Sequence, residues 1–132
     1  MGSGDMRNAL LTASKINEAY HELEVHISDH SDFIVARNLL ITCIIVSDDF
    51  DPSIPRNINY LWDLWYSCQW GEITRKRFIK DVTKLLIRHW NHLSIFLPGS
   101  KSFDHLKTIL KDWLVKACTM TPRTIQSIAV GR

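Results

Sequence analysis

From Leu39 to Val46 the chain is apolar at every position except Thr42, the longest such run it has. A segment with no polar face must be surrounded on most sides. It is far short of the roughly 18 residues that cross a bilayer, so its cover has to come from the rest of the protein. Periodicity alone does not separate a buried helix from a buried strand over such a run. The lead-in from Ser31 has a polar first turn with Asp32, and the combined length predicts a helix from Ser31 to about Ser47. Asp48-Asp49-Phe50-Asp51-Pro52-Ser53-Ile54-Pro55 then breaks the pattern.

Helices supply the cover. Asn57 to about Cys68 carries Ile58, Leu61, Trp62, Trp65 and Cys68 at three- and four-residue spacing, with Asn57 as N-cap and Gly71 as the break. Thr74 to about Ile95 places Phe78, Val82, Leu85, Leu86, His89, Trp90 and Leu93 on one stripe, with Arg77, Asp81 and Lys84 on the solvated side. Pro98-Gly99 ends it. Ser102 caps a further helix with Phe103, Leu106, Leu110, Trp113, Leu114 and Ala117 inward and an Asp112–Lys116 pair outward. Thr121-Pro122 has the signature of a short helix start, docked by Ile125, Ile128 and Ala129 or else fraying as a tail.

The first residues carry a different signal. Gly2-Ser3-Gly4 runs into an amphipathic segment from about Met6 to His21, with Asp5 as N-cap and Leu10, Ala13, Ile16, Asn17 and Tyr20 near one face. A glycine loop before a helix lets a ligand approach the backbone and the free N–H groups; a cloning linker and a simple cap have the same appearance. Leu23-Glu24-Val25-His26-Ile27-Ser28-Asp29 alternates apolar and polar and reads as a short strand. Asp29 stands where an acid holds a ribose hydroxyl in a nucleotide-binding half, or else it, or Ser31 beside it, caps the next helix.

These residues resemble a known family. Gly2 to Leu11 looks like the "GCGDxRNxL" opening of a domain of unknown function found at the start of proteins with MYND-type zinc fingers and in axonemal dynein assembly factors. Leu23 to Asp29 with Ile34-Val35-Ala36-Arg37-Asn38-Leu39-Leu40 resembles its strand, acid and "xxARNxLLL" helix. Leu61 to Tyr66 is similar to its "iWxiyY" segment and Phe103 to Trp113, more loosely, to a later helix. The family looks like a degenerate S-adenosylmethionine-dependent methyltransferase. The resemblance implies a Rossmann-type frame, with Gly2, Gly4 and Asp29 as its cofactor-binding positions.

Other chemistries find little footing. With 16 Lys plus Arg against 14 Asp plus Glu, a net charge of +2 gives no basis for nucleic-acid or membrane binding. Arg75-Lys76-Arg77 reads as a solvated first turn or, less simply, as a site for a phosphate or an acidic partner. His21, His26, His30, His89 and His92 do not converge as zinc ligands by spacing. Cys43, Cys68 and Cys118 lie among apolar residues as packing thiols, and three unpaired cysteines point to a reducing, cytoplasmic setting. Asp48, Asp49 and Asp51 sit in a loop with no obvious pocket. Trp62, Trp65 and Trp70 stack a ring or, as helical spacing favours, fill the core.

The expectation is a single domain over 1–132: mostly α with a small β element, a truncated methyltransferase-like remnant lacking the first strand. Residues 1–47 form the Rossmann-like half and 57–132 the helical part. The expected function is a non-catalytic protein-binding or assembly module without cofactor or metal. The alternative is an S-adenosylmethionine- or nucleoside-binding methyltransferase fragment. Because one strand cannot make a sheet, the expected partner is another protein or a second copy, as a homodimer. A third reading is a helical interaction module with Trp62 and Trp65 exposed.

Overall fold

The computed structural model describes residues 6–16, 24–67, 69–93 and 100–119, and 76% of these are helical. In chain order come α1 (Arg7–Lys15), α2 (Asp32–Ile45), α3 (Pro55–Tyr66), α4 (Glu72–Lys84), a π-helical turn (Leu85–His89), α5 (Trp90–Leu93) and α6 (Ser100–Cys118). Among the described residues there is no strand, and residues 24–29 have no regular secondary structure. The expected β element and the methyltransferase-like remnant are therefore not found. Alternation at Leu23–Asp29 carries only a few apolar side chains, and the described part of that segment has Val25 exposed and only Ile27 packed against the core.

The apolar run of α2 is a helix, and it is the element around which the others gather. Ala36, Leu40, Ile41 and Ile44 are buried, and α2 packs against both α4 and α6, which also pack against each other. Thr42 fits this setting because its hydroxyl donates to the Asn38 carbonyl one turn back, at 2.7 Å. It also lies 3.2 Å from Sδ of Met6, a buried residue that pins the start of α1. α1 itself has no buried residue and ends at Lys15, short of the expected span. Each apolar side chain fully removed from water contributes about 1.5–3 kcal/mol, so the α2–α4–α6 junction, not α1, carries the stability.

Two helices differ from their expected faces. α3 begins at Pro55, whose missing N–H costs nothing in a first turn. Asn57 is thereby inside the helix rather than its cap, and its Nδ2 donates to the Asp51 carbonyl at 2.8 Å. The buried face is Asn57, Tyr60, Leu61 and Leu64, while Ile58 and Trp62 are exposed. That is a rotation of roughly a quarter turn from the expected stripe.

The second difference lies beyond α4. The helix runs on through the π turn, and the core face steps from Leu85 to Trp90, five residues rather than four. His89, expected on the apolar stripe, is exposed in consequence. Trp90 turns inward and its ring stacks on Phe103 of α6, centroids 4.3 Å apart. α6 follows its expected face, with Leu106, Leu110, Trp113 and Ala117 buried. It starts at Ser100, so Ser102 lies within it and not at its cap. The expected helix after Thr121-Pro122, with Ile125, Ile128 and Ala129, lies outside the described residues.

Candidate functional site

The positions proposed for a cofactor are only partly visible. Gly2 and Gly4 lie outside the described residues. Asp29 is half-buried, and its Oδ1 accepts the Ser31 N–H at 2.9 Å. That closes a turn leading into α2, where Ser31 is the N-cap residue without a side-chain cap bond of its own. The carboxylate thus has a local structural task.

The histidines and cysteines are spread out. His21 and Cys68 are outside the described residues. His26 pairs with Glu24 at 2.8 Å on an exposed stretch, and His30, His89 and His92 are exposed. Among the described residues no three His, Cys, Asp or Glu side chains gather as metal ligands. Cys43 is half-buried, and burial pushes its thiol pKa up. Cys118 is exposed at the end of α6, not packed in apolar surroundings as expected.

The acids and bases of the chain act mainly as ties. Asp51 accepts from the Ser53 N–H and hydroxyl at 2.8 and 2.6 Å, which holds its carboxyl below the usual range. Lys84 reaches Asp49 at 3.5 Å. Arg75 forks onto Glu72 in the first turn of α4 and donates to the Ala117 carbonyl of α6 at 3.1 Å. It so meets an unsatisfied carbonyl near a helix C-terminus. Lys76 lies 3.9 Å from the same Glu72.

Arg77, the third of that basic run, turns toward α3. Its guanidinium sits 4.3 Å from the Tyr60 ring centroid, and its Nε is 4.0 Å from Asp81 Oδ2. Asp81 and Arg77 are mostly covered here, not on a solvated side as expected. Burial raises the Asp81 carboxyl pKa, while Tyr60, Arg77, Lys80 and Lys84 pull it back. Burial first, and then the Asp81 charge, drives the Tyr60 phenol far above its usual value.

Asp63 is the hub that sequence reasoning missed. Its carboxylate accepts from Ser67 Oγ at 2.7 Å and from the buried Thr74 Oγ1 at 2.6 Å, and its carbonyl accepts from Trp70 Nε1 at 3.0 Å. One residue thus ties the end of α3 to the connection and to α4. The Asp63–Ser67 spacing of one helical turn was the available sequence signal.

With Asp63 and Leu64 held inward, the opposite face of α3 is left bare. Trp62 is 61% exposed, Ile58 45% and Tyr66 40%. They follow one another at one-turn spacing. The Trp62 and Tyr66 rings lie 4.6 Å apart at 49°, and Arg7 of α1 sits 5.0 Å from the Tyr66 centroid. The three tryptophans therefore part company: Trp70 is buried against Phe78, Trp65 is half-buried, and Trp62 faces water. The core reading holds for Trp70 but not for Trp62. Aromatic rings and an arginine on one exposed face are the residue types that dominate binding energy at protein interfaces.

No helix among the described residues is long and apolar enough to cross a membrane. A family profile described as a domain of unknown function, DUF4470, matches residues 1–70. No curated protein and no solved structure matches the chain.

Proposed function

Since the chain belongs to the DUF4470 family, with a match that takes in α1, α2 and α3, we propose that it is a non-catalytic binding module that self-associates through the solvent face of α3. The observation that carries this reading is the Ile58–Trp62–Tyr66 stripe with Arg7 beside it. A twofold interface brings the same patch of each copy together. The exposed stripe is apolar and aromatic, so Ile58, Trp62 and Tyr66 of one copy pack against the same residues of the other. A net charge of +2 offers little repulsion between copies.

The non-catalytic part draws support from the tasks its titratable groups already have. Asp29, Asp51, Asp63 and Arg75 are engaged in turns and helix ties. The resemblance to the opening domains of MYND-type and dynein assembly factor proteins supports an assembly role, and free thiols at Cys43 and Cys118 suit a cytoplasmic setting.

Sedimentation velocity across a micromolar-to-millimolar concentration series tests the reading. A concentration-dependent dimer is expected, with Trp62→Ala weakening it about 30-fold, the loss of an interface anchor of about 2 kcal/mol. A strict monomer, or a dimer indifferent to Trp62→Ala and Tyr66→Ala, overturns it.

A further inference from the structure

Arg37 of α2 and Trp113 of α6 line one small cavity, walled otherwise by apolar side chains that include Ile41, Leu64 and Phe78. Its volume of about 10 Å³ leaves room for one small species. Arg37 Nε and Trp113 Nε1 are both buried, and neither has a hydrogen-bond partner. Trp113 is only 2% exposed, so its N–H has no route to bulk water. Trp70 also lines the cavity, but its N–H is already given to the Asp63 carbonyl. A buried donor without an acceptor costs about 1–3 kcal/mol. Two at one cavity, from the two helices that close the core, mark a place where an acceptor belongs.

The donor set says what kind. Every polar side-chain group in the wall is an N–H donor, and none is an acceptor. A water would accept from both but find no side-chain acceptor for its own hydrogens, whereas buried waters typically make about three hydrogen bonds. An anion needs only donors. Arg37 adds a positive charge, and among the described residues no carboxylate stands in ion-pair contact with it. We propose that this cavity binds one small monovalent anion of halide size, held between Arg37 Nε–H and Trp113 Nε1–H. The ion would join α2 to α6 at the centre of the fold, on the side of α3 that faces the core, and so independently of the exposed stripe.

Crystals of the whole chain grown from sodium bromide test this directly, with bromide melting curves as the solution readout. An anomalous peak within hydrogen-bond reach of both nitrogens is expected. The melting temperature should rise saturably with bromide, and Arg37→Met should need about 10-fold more bromide or worse, in line with loss of a charge-assisted hydrogen bond. Arg37→Met keeps the aliphatic stem; Trp113→Phe removes the second donor but also bulk, so the crystallographic readout, which needs no variant, stands beside it. Density without anomalous signal means a bridging water and overturns the proposal. So does an empty cavity, an equal bromide response in Arg37→Met, or an adventitious ion only, seen in the crystal with no solution response.

Discussion

Two aromatic pairs of similar chemistry have opposite fates in this fold. Trp62 and Tyr66 sit one turn apart on α3 with centroids 4.6 Å apart, and both face water. Trp90 and Phe103 come from α5 and α6, stack at 4.3 Å, and Trp90 is 3% exposed. The first pair is local: it stiffens a helix that already exists and closes nothing. The second joins two consecutive helices, α5 and α6, and brings α6 back along the α4–α5 helix. Aromatic side chains thus hold the fold together where the chain must return on itself, and are left for a partner where it need not.

That contrast breaks most readily at Trp90. Trp90→Ala should destabilise by about 3–5 kcal/mol in urea unfolding, the cost of emptying a large core site. A loss below about 1 kcal/mol would make the stacked pair ornamental. Next comes the tie that turns the α3 face outward. Asp63→Ala removes the acceptor of the buried Thr74 hydroxyl and should cost about 1–3 kcal/mol, while Trp62 emission shifts to the blue if α3 rotates.

Smaller still is the charge under Tyr60. Burial raises the Asp81 carboxyl pKa, so its ionised form is the one the fold disfavours. The folded state then binds a proton more tightly than the unfolded chain, and ionisation at rising pH lowers stability. Asp81→Asn should therefore raise the denaturation midpoint at neutral pH, with the gain fading as pH falls through the raised Asp81 pKa and gone below the ordinary aspartate range. A gain that persists unchanged in acid would show that the charge is not its cause. Least of all, Trp62→Ala should move monomer stability by no more than about 0.5 kcal/mol, as for an exposed site. A larger loss would put Trp62 in the core after all.

Much of the fold was legible because burial follows period. The α2 run could only be central, and the inward face of α6 from Leu106 to Ala117 is the face observed. The Asp112–Lys116 pair, 2.9 Å apart, is where i,i+4 spacing puts it. What failed did so for identifiable causes. Trp62 and Ile58 are more hydrophobic than Asn57 and Tyr60, so a hydrophobicity stripe on α3 points the wrong way. Asn57 and Tyr60 are buried because Asp51 and Arg77 meet them there. His89 was misplaced because a 3.6-residue period has no means of announcing a π turn. Leu23–Asp29 alternated for too short a stretch to decide anything, and no neighbouring strand is present among the described residues to make use of it.

By itself, then, the sequence determined that this is a helical protein wrapped around α2, since a segment with no polar face admits no other place. Only the tertiary structure decided which side of α3 is the inside and where the core face steps at the π turn after α4. That choice depends on polar partners such as Asp63 with Thr74 and Tyr60 with Arg77, which sit on two different helices. Their contribution exists only once the helices have met. The exposed α3 stripe and the paired donors of Arg37 and Trp113 both follow from that docking.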